Sequence, residues 1–337
     1  MRICLLSRRF TLESGGIGRV GISLRDGLRR LGHEVITVET TEEDLIHYFK
    51  YSFWSIKNKI PKGMDIYHAI TPMESIYLPK HKSIATILDI IPITHPEKHG
   101  ARMGGSKIKY TIGRTCFDIG VKKALKCAKV VCISDHVKDE VIANYNISRD
   151  KISTIRLGIR DDLKPLHIKD QTFRIGYLGQ LDRRKRVDLL IKAFKESIIN
   201  GELLIAGKGF NEAEFKEMAN GDERIRFIGY IENGEIKKFY NNLDYLVFPT
   251  SIEGYGLPPV EAMACKVPTI VLSDAIIPHE VKSRCIVVDS LAETFRPIQS
   301  GSRIGTVDKN SNYEFAREHN WSNTVNEYVK LYEEILK

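Results

Sequence analysis

Short apolar runs alternate with longer amphipathic runs along nearly the whole chain, and the alternation restarts once. Arg2 to Leu6, Val35 to Val38, Ile66 to His68, Ala85 to Leu88 and Val130 to Ile133 read as strands of one sheet. Phe173 to Tyr177, Leu203 to Ala206, Arg226 to Ile228, Tyr245 to Phe248 and Thr269 to Leu272 read as strands of another. Between them lie helical patterns, such as Val20, Leu24, Leu28 and Leu31 on one face with Gly32 as the stop, and Val187 to Lys195. Ser134 is placed to cap the helix that follows Ile133. Strand–helix alternation of this kind builds parallel sheets from βαβ units. A length of 337 residues exceeds one ordinary core and suits two α/β domains. The charged, pattern-poor stretch from Gly158 to Gln171 is expected to be the linker. The expected division is 1–160, 161–315 and a final amphipathic helix over 316–337.

Composition excludes several classes. Hydrophobic residues make up 42% and charged residues 28%, as in ordinary globular proteins. No apolar run approaches the ~20 residues of a membrane span. The opening Met-Arg-Ile-Cys-Leu-Leu is too short for a signal peptide and reads as a buried strand. The six cysteines have no metal-ligand spacing and suit reduced core thiols, which points to the cytoplasm. The net charge of +8 permits contact with phosphates or anionic membranes. No recognised nucleic-acid motif accompanies it.

The most informative chemistry lies in Phe248-Pro-Thr-Ser-Ile-Glu-Gly-Tyr-Gly-Leu-Pro-Pro-Val-Glu-Ala-Met-Ala264. A short strand runs into a glycine loop and then a helix, whose first turn can hold Pro258 and Pro259 because no N–H is needed there. Backbone N–H groups and the positive end of the helix dipole suit a phosphate. Glu253 and Glu261 flank that anion site. A diphosphate with hydroxyl groups at both ends would use both, sugar hydroxyls on Glu253 and ribose hydroxyls on Glu261. A lone glutamate in a first turn is more often a dipole partner; here the whole string counts. A second candidate is the loop Gly179-Gln-Leu-Asp-Arg-Arg-Lys-Arg186, in which four of eight residues are basic. It follows the first strand of the second sheet, where open α/β sheets bind ligands.

The Phe248–Ala264 string resembles the E-x7-E signature of retaining glycosyltransferases of family 4 (glycosyl transferases group 1). The resemblance is strong over the second half of the chain and loose over the first. It implies the GT-B fold, two Rossmann-like domains facing each other across a cleft. It implies a hexosyltransferase that moves a sugar from a nucleoside diphosphate donor to a glycan or lipid-linked acceptor. Gly254, Tyr255, Gly256 and Leu257 would belong to the donor loop. Lys185 matches the family lysine that holds the diphosphate, with Arg184 preferred as its guanidinium partner. Relatives carry arginine where this chain has Gln180, so which of Arg183, Arg184 and Arg186 compensates is left open. Tyr230 and Ile231 resemble the base-binding turn, although an aromatic at a strand end explains Tyr230 equally well.

The first half carries weaker signals. The loop Gly15-Gly16-Ile17-Gly18 would approach the donor phosphates through its backbone; by itself it is also compatible with a poor dinucleotide fingerprint ending at Glu39. In Thr86-Ile-Leu-Asp-Ile-Ile-Pro92, Leu88 stands where relatives have histidine, which leaves Asp89 to bind a sugar hydroxyl or take the acceptor's proton. The competing reading is a turn residue before Pro92. His95 is a weaker substitute. The chain has no Asp-x-Asp motif, so neither a metal nor a cofactor is expected. Two basic, apolar stretches, Glu42 to Lys62 and Gly104 to Lys129, could lie on a membrane or simply pack with solvated lysines. The Arg-Arg-Lys segment and Asp-Ile-Ile-Pro string resemble mannosyltransferases, which favours mannose and GDP over UDP as carrier. The rival readings are a GT-B sugar-nucleotide epimerase and a non-catalytic nucleotide-sugar-binding protein.

Overall fold

The structure, a computed structural model, describes residues 1–11, 15–39, 56–100, 107–296 and 304–337. The chain divides into two compact units, Met1–Gly158 with Asn320–Lys337, and Ile159–His319.

In the first unit β1 (Arg2–Ser7) leads to α1 (Gly15–Arg30), then β2 (Glu34–Glu39), β3 (Ile66–Ala69) and β4 (Ser83–Ile87). Helix α2 (Lys107–Ala124), β5 (Lys129–Cys132), α3 (Asp135–Tyr145) and β6 (Ile152–Thr154) follow. The sheet is parallel in the order β2-β1-β3-β4-β5-β6. Its strands are nearly continuous hydrophobic runs because both faces are covered. Val20, Leu24 and Leu28 are buried on α1 as its periodicity predicts, whereas Leu31, one residue past the helix end, is exposed. Ser134 caps α3 by accepting from Val137 N at 3.1 Å. Gly15 and Gly16, expected in a loop, form the first turn of α1.

In the second unit β7 (Arg174–Leu178) leads to α4 (Val187–Lys195), β8 (Glu202–Ala206), α5 (Glu212–Ala219), β9 (Ile225–Gly229) and α6 (Asn233–Asn241). Then come β10 (Tyr245–Val247), α7 (Leu257–Ala264), β11 (Thr269–Leu272), β12 (Ile286–Val288) and α8 (Lys309–Glu318). The order is β12-β11-β10-β7-β8-β9, also parallel. The core gathers Tyr177, Leu190, Phe194, Ile205, Phe215 and Phe295. The stretch expected as a linker is tied to this unit as far as Leu166, while residues 167–171 are exposed. Leu163 is buried, Ile159 N donates to His319 O at 2.7 Å, and Leu166 N to Asn241 Oδ1 at 2.6 Å. Its backbone is tied by polar partners, which hydrophobic patterning does not register.

The terminal helix α9 (Trp321–Leu336) belongs to the first unit. Asn320 caps it by accepting from Asn323 N at 2.8 Å. Val325, Tyr328, Leu331 and Tyr332 are buried along one face. His68 on β3 is fully buried against this helix, with Nδ1 2.7 Å from Tyr332 Oη and Nε2 2.8 Å from Thr86 Oγ1. Thr86 Oγ1 in turn lies 2.9 Å from Tyr328 Oη. Burial lowers the His68 pKa to about 3, so the ring is neutral.

Candidate active site

The strand order of the second unit reverses between β7 and β10, and ligands of open α/β sheets bind beyond the carboxyl ends of the strands at such a point. The two loops that leave those strands carry the sequence-predicted residues. The loop after β7 holds Arg183 to Arg186; the loop after β10 holds Pro249 to Gly256. They are stitched together. Ser251 N and Oγ both donate to Arg184 O, at 2.9 and 3.1 Å. Arg184 Nη1 donates to Ile252 O. A third loop joins them, with Glu253 N donating to Ile276 O and Ile276 N to Ser251 O, at 2.9 and 3.0 Å.

At the centre sits Glu253, whose side chain is 15% exposed. Its Oε1 accepts from Arg184 Nη1 at 3.1 Å, from Thr250 Oγ1 at 2.6 Å and from Lys185 Nζ. Among the described residues no hydrogen bond reaches Oε2. Burial alone would push the carboxyl up; Arg184 and then Lys185 outweigh it and hold the pKa at about 2. Burial also draws Lys185 below the usual lysine value, with Glu253 pulling it back up and Arg184 adding to the fall. The site thus sets two cations on one carboxylate, nearly desolvated, with the buried carboxylate of Asp182 also acting on Lys185.

The three arginines of the loop have different partners. Arg183 is exposed and pairs with Glu214 at 2.9 Å. Arg186 is committed elsewhere: Nε donates to Pro249 O at 2.7 Å, Nη2 to Thr250 O at 2.8 Å, and both Nη atoms to Asp274. Only Arg184 joins Lys185 on Glu253. Asp182 caps the turn that carries them by accepting from Lys185 N at 3.2 Å.

Helix α7 begins at Gly256, whose φ of 101° is open to glycine and strained for other residues. Pro258 and Pro259 fill its first turn as expected. Leu257 is half-buried, and Gly254 is buried. Glu261 is buried and accepts from Tyr240 Oη at 2.8 Å, a partner that nothing in the sequence indicated. Tyr255 is also buried, and its hydroxyl meets His319 Nε2. Its side chain is therefore spent on packing. Tyr230, at the end of the edge strand β9, is 47% exposed, and Ile231 is half-buried.

In the first unit Asp89 and Leu88 follow β4, both half-buried. Asp89 Oδ1 accepts from Ile91 N at 3.1 Å, which matches the turn reading for that oxygen. Gly16 is open: a Cβ there would meet nothing within 4 Å. Of Glu42 to Lys62, residues 42–55 lie outside the described residues. So do residues 104–106 of the second basic stretch. All six cysteines are free thiols, five of them buried. Among the described residues no cluster of His, Cys, Asp or Glu could hold a metal ion, and no helix is long and apolar enough to cross a membrane.

Residues 159–290 match the family model described as Glycosyl transferases group 1. O-antigen chain mannosyltransferase B of Escherichia coli is 25% identical over 246 residues, 66% of this chain and 61% of that protein. O-antigen chain mannosyltransferase RfbU of Salmonella typhimurium is 27% identical over 269 residues, 76% of this chain and 72% of that protein. This chain thus spans a little under two thirds of the first relative's length and somewhat more of the second's. A sucrose-phosphate synthase from Thermosynechococcus elongatus superposes over 99% of both chains with a TM-score of 0.78 at 16% identity, which shows a shared fold. The chain has the GT-B fold of two Rossmann-like units, and its second unit is similar to the group 1 glycosyl transferases over the matched residues.

Proposed function

We propose that this protein transfers a hexose from a nucleoside diphosphate donor to a glycan or lipid-linked hydroxyl, with retention at the anomeric carbon and without a metal. The observation that carries this reading is the convergence of Arg184, Lys185 and Glu253 at the strand-order reversal, beside the first turn of α7. The donor diphosphate is assigned to that turn and to the two cations. As the glycosidic bond breaks, the departing diphosphate gains negative charge, and fixed cations stabilise it most in the transition state. Arg184 and Lys185 supply the positive charge that a metal supplies elsewhere. Glu253, held ionised, is an acceptor only. With Oε1 occupied by the cations and Thr250, Oε2 is assigned to a hydroxyl of the transferred sugar. Glu261 is assigned to the ribose, and Tyr230 and Ile231 to the base, mainly through backbone.

Asp89, Gly15 and Gly16 are assigned to the acceptor side and to phosphate contacts of the first unit. No carboxylate is placed as a nucleophile at the sugar in this scheme. Attack on the face that the diphosphate leaves, with the leaving phosphate taking the acceptor's proton, gives retention. Mannose from GDP-mannose is the favoured donor pair, since both curated relatives named above are mannosyltransferases. Incubation with GDP-mannose, UDP-glucose and UDP-N-acetylglucosamine, following diphosphate release with and without a simple mannoside acceptor, tests the reading. Proton NMR of the product gives the anomer, and EDTA tests the metal. Release with GDP-mannose alone, an α-linked product and insensitivity to EDTA are expected. No release from any donor, or inversion, overturns it.

A further inference from the structure

Helix α2 (Lys107–Ala124) is attached to the first unit by a face of small residues. Gly113, Gly120, Val121 and Ala124 are buried, and a Cβ on Gly120 would come within 2.8 Å of Met73 Sδ. Tyr110 Oη donates to Pro96 O at 2.9 Å, and Tyr145 Oη to Asp118 Oδ1 at 2.8 Å. So the helix has a fixed roll, and its other face is presented outward.

That outward face is apolar where an ordinary surface helix is polar. Ile108 is 75% exposed, Ile112 54% and Ile119 37%. At 3.6 residues per turn the three isoleucines fall within about 40° of one another and extend along roughly 16 Å of helix. Exposed isoleucines are unremarkable singly; three on one line are not. The same line continues into Lys122, Lys123 and Lys126, all exposed. The helix sequence contains five lysines and arginines against one acid, Asp118. Asp118 already pairs with Lys122 at 2.6 Å.

We propose that this face of α2 docks the protein on an anionic lipid surface, with Ile108, Ile112 and Ile119 entering the acyl boundary and Lys123 and Lys126 reaching lipid phosphates. A row of three exposed isoleucines, interrupted by Thr115 and ending in cations, matches a helix lying in the plane of a membrane interface. The lysine stems can lie along the apolar layer while their ammonium groups stay at the headgroups. Charge complementarity selects anionic over neutral lipid, each cation near such a surface contributing about 1 kcal/mol, or roughly fivefold in partitioning. The docking requires no sugar donor and stands apart from the transfer reaction.

The test is co-sedimentation of the full chain with vesicles of phosphatidylcholine mixed with phosphatidylglycerol, against pure phosphatidylcholine, without donor. Binding to the mixed vesicles alone is expected, weakening as salt rises. Ile108→Ser with Ile112→Ser should lower partitioning about tenfold or more, and Lys123→Gln with Lys126→Gln on the order of tenfold. Ile108→Leu with Ile112→Leu should keep it, with melting temperatures unchanged throughout because these positions are exposed. Equal binding to both vesicle types, no binding, or full binding by the serine variant overturns the proposal. So does a wild-type dimer that the serine variant dissociates while no vesicle is bound, which would give the face to a second copy of the chain.

Discussion

Each unit buries a chain of polar groups where its sheet meets its surroundings, but the two chains differ in charge. In the first unit Tyr332, His68, Thr86 and Tyr328 form an uncharged relay in which each hydroxyl or ring nitrogen meets another group of the protein. In the second, Arg184, Lys185 and Glu253 form a charged cluster with two cations on one carboxylate oxygen. The neutral relay is a fastening: it fixes α9 to β3 and β4 and needs nothing further. The charged cluster is built of full charges, with both cations on Glu253 and buried Asp182 also acting on Lys185. Buried ion clusters seldom contribute net stability over packed apolar groups. One placed at the strand-order reversal is better understood as a site awaiting an anion, with Glu253 holding the cations in position until it comes.

Removing the counter-ion should give the largest effect. Glu253→Ala leaves two cations buried without their carboxylate, and a loss of about 3–5 kcal/mol in unfolding free energy is expected. If the cluster awaits an anion, added inorganic pyrophosphate should raise the melting temperature of the variant more than that of the wild type. A variant as stable as the wild type, or one indifferent to pyrophosphate, would make the cluster a fastening like the other.

Lys185→Ala should come next. The leaving-group charge peaks in the transition state, so kcat should fall by roughly 10²–10³, about 2.7–4 kcal/mol, while affinity for free nucleoside diphosphate falls less. Calorimetry and single-turnover rates separate the two. Turnover near wild type in a folded variant would take the lysine out of the reaction.

The two clusters should also part on acidification. Glu253 is held well below the ordinary carboxylate value, so its contribution is complete above about pH 4.5 and fades only as pH falls toward 2. His68 is a base whose folded pKa is depressed, so the unfolded chain takes the proton first and stability falls once pH drops below about 6.5. Between about pH 6.5 and 5 the relay should cost the first unit about 2 kcal/mol. His68→Phe should flatten that slope even though its absolute stability is lower. An unchanged slope from denaturant melts across this range would mean that the ring is not held neutral.

These two clusters also mark where sequence reading stops. The strands and helices that carry them were legible, because their apolar periods are local. The three-residue edge strands β6 and β12 were not, since a run that short has no period to read. Lys185, Arg184 and Glu253 were each legible from the basic loop and the glycine string. Their convergence was not, because 69 residues separate Arg184 from Glu253 and the strand order alone closes that distance. The His68 relay gave no signal at all: its partner Tyr332 is 264 residues away, and a histidine in an apolar strand looks like any other. Tyr255 was legible only as a position in the glycine loop, since a motif says nothing of a side chain turned toward His319.

The smallest effect concerns what holds the charged cluster in shape. Arg186 has φ 52°, a left-handed conformation that costs a residue with a Cβ about 1–2 kcal/mol. The guanidinium offsets this through its bonds to Pro249 O and Thr250 O, which anchor the strand end leading to Glu253. Its pairing with Asp274 adds little, because that carboxylate is mostly exposed. Arg186→Ala keeps the backbone cost and loses the anchors; Arg186→Gly loses the anchors and the cost together. The glycine variant should therefore melt above the alanine variant, by about 1 kcal/mol in stability, and within about 1 kcal/mol of the wild type. Both should lose several-fold in kcat, because Glu253 and Arg184 sit on the loop that Arg186 pins. Rescue by Arg186→Lys should be poor, since one ammonium cannot span two carbonyls and Asp274 in the same plane. Equal melting of the glycine and alanine variants would show that the left-handed turn is not where the strain lies. Unchanged kcat in both would show that the first unit's kind of rigidity is not needed here, and that the bound anion alone orders the site.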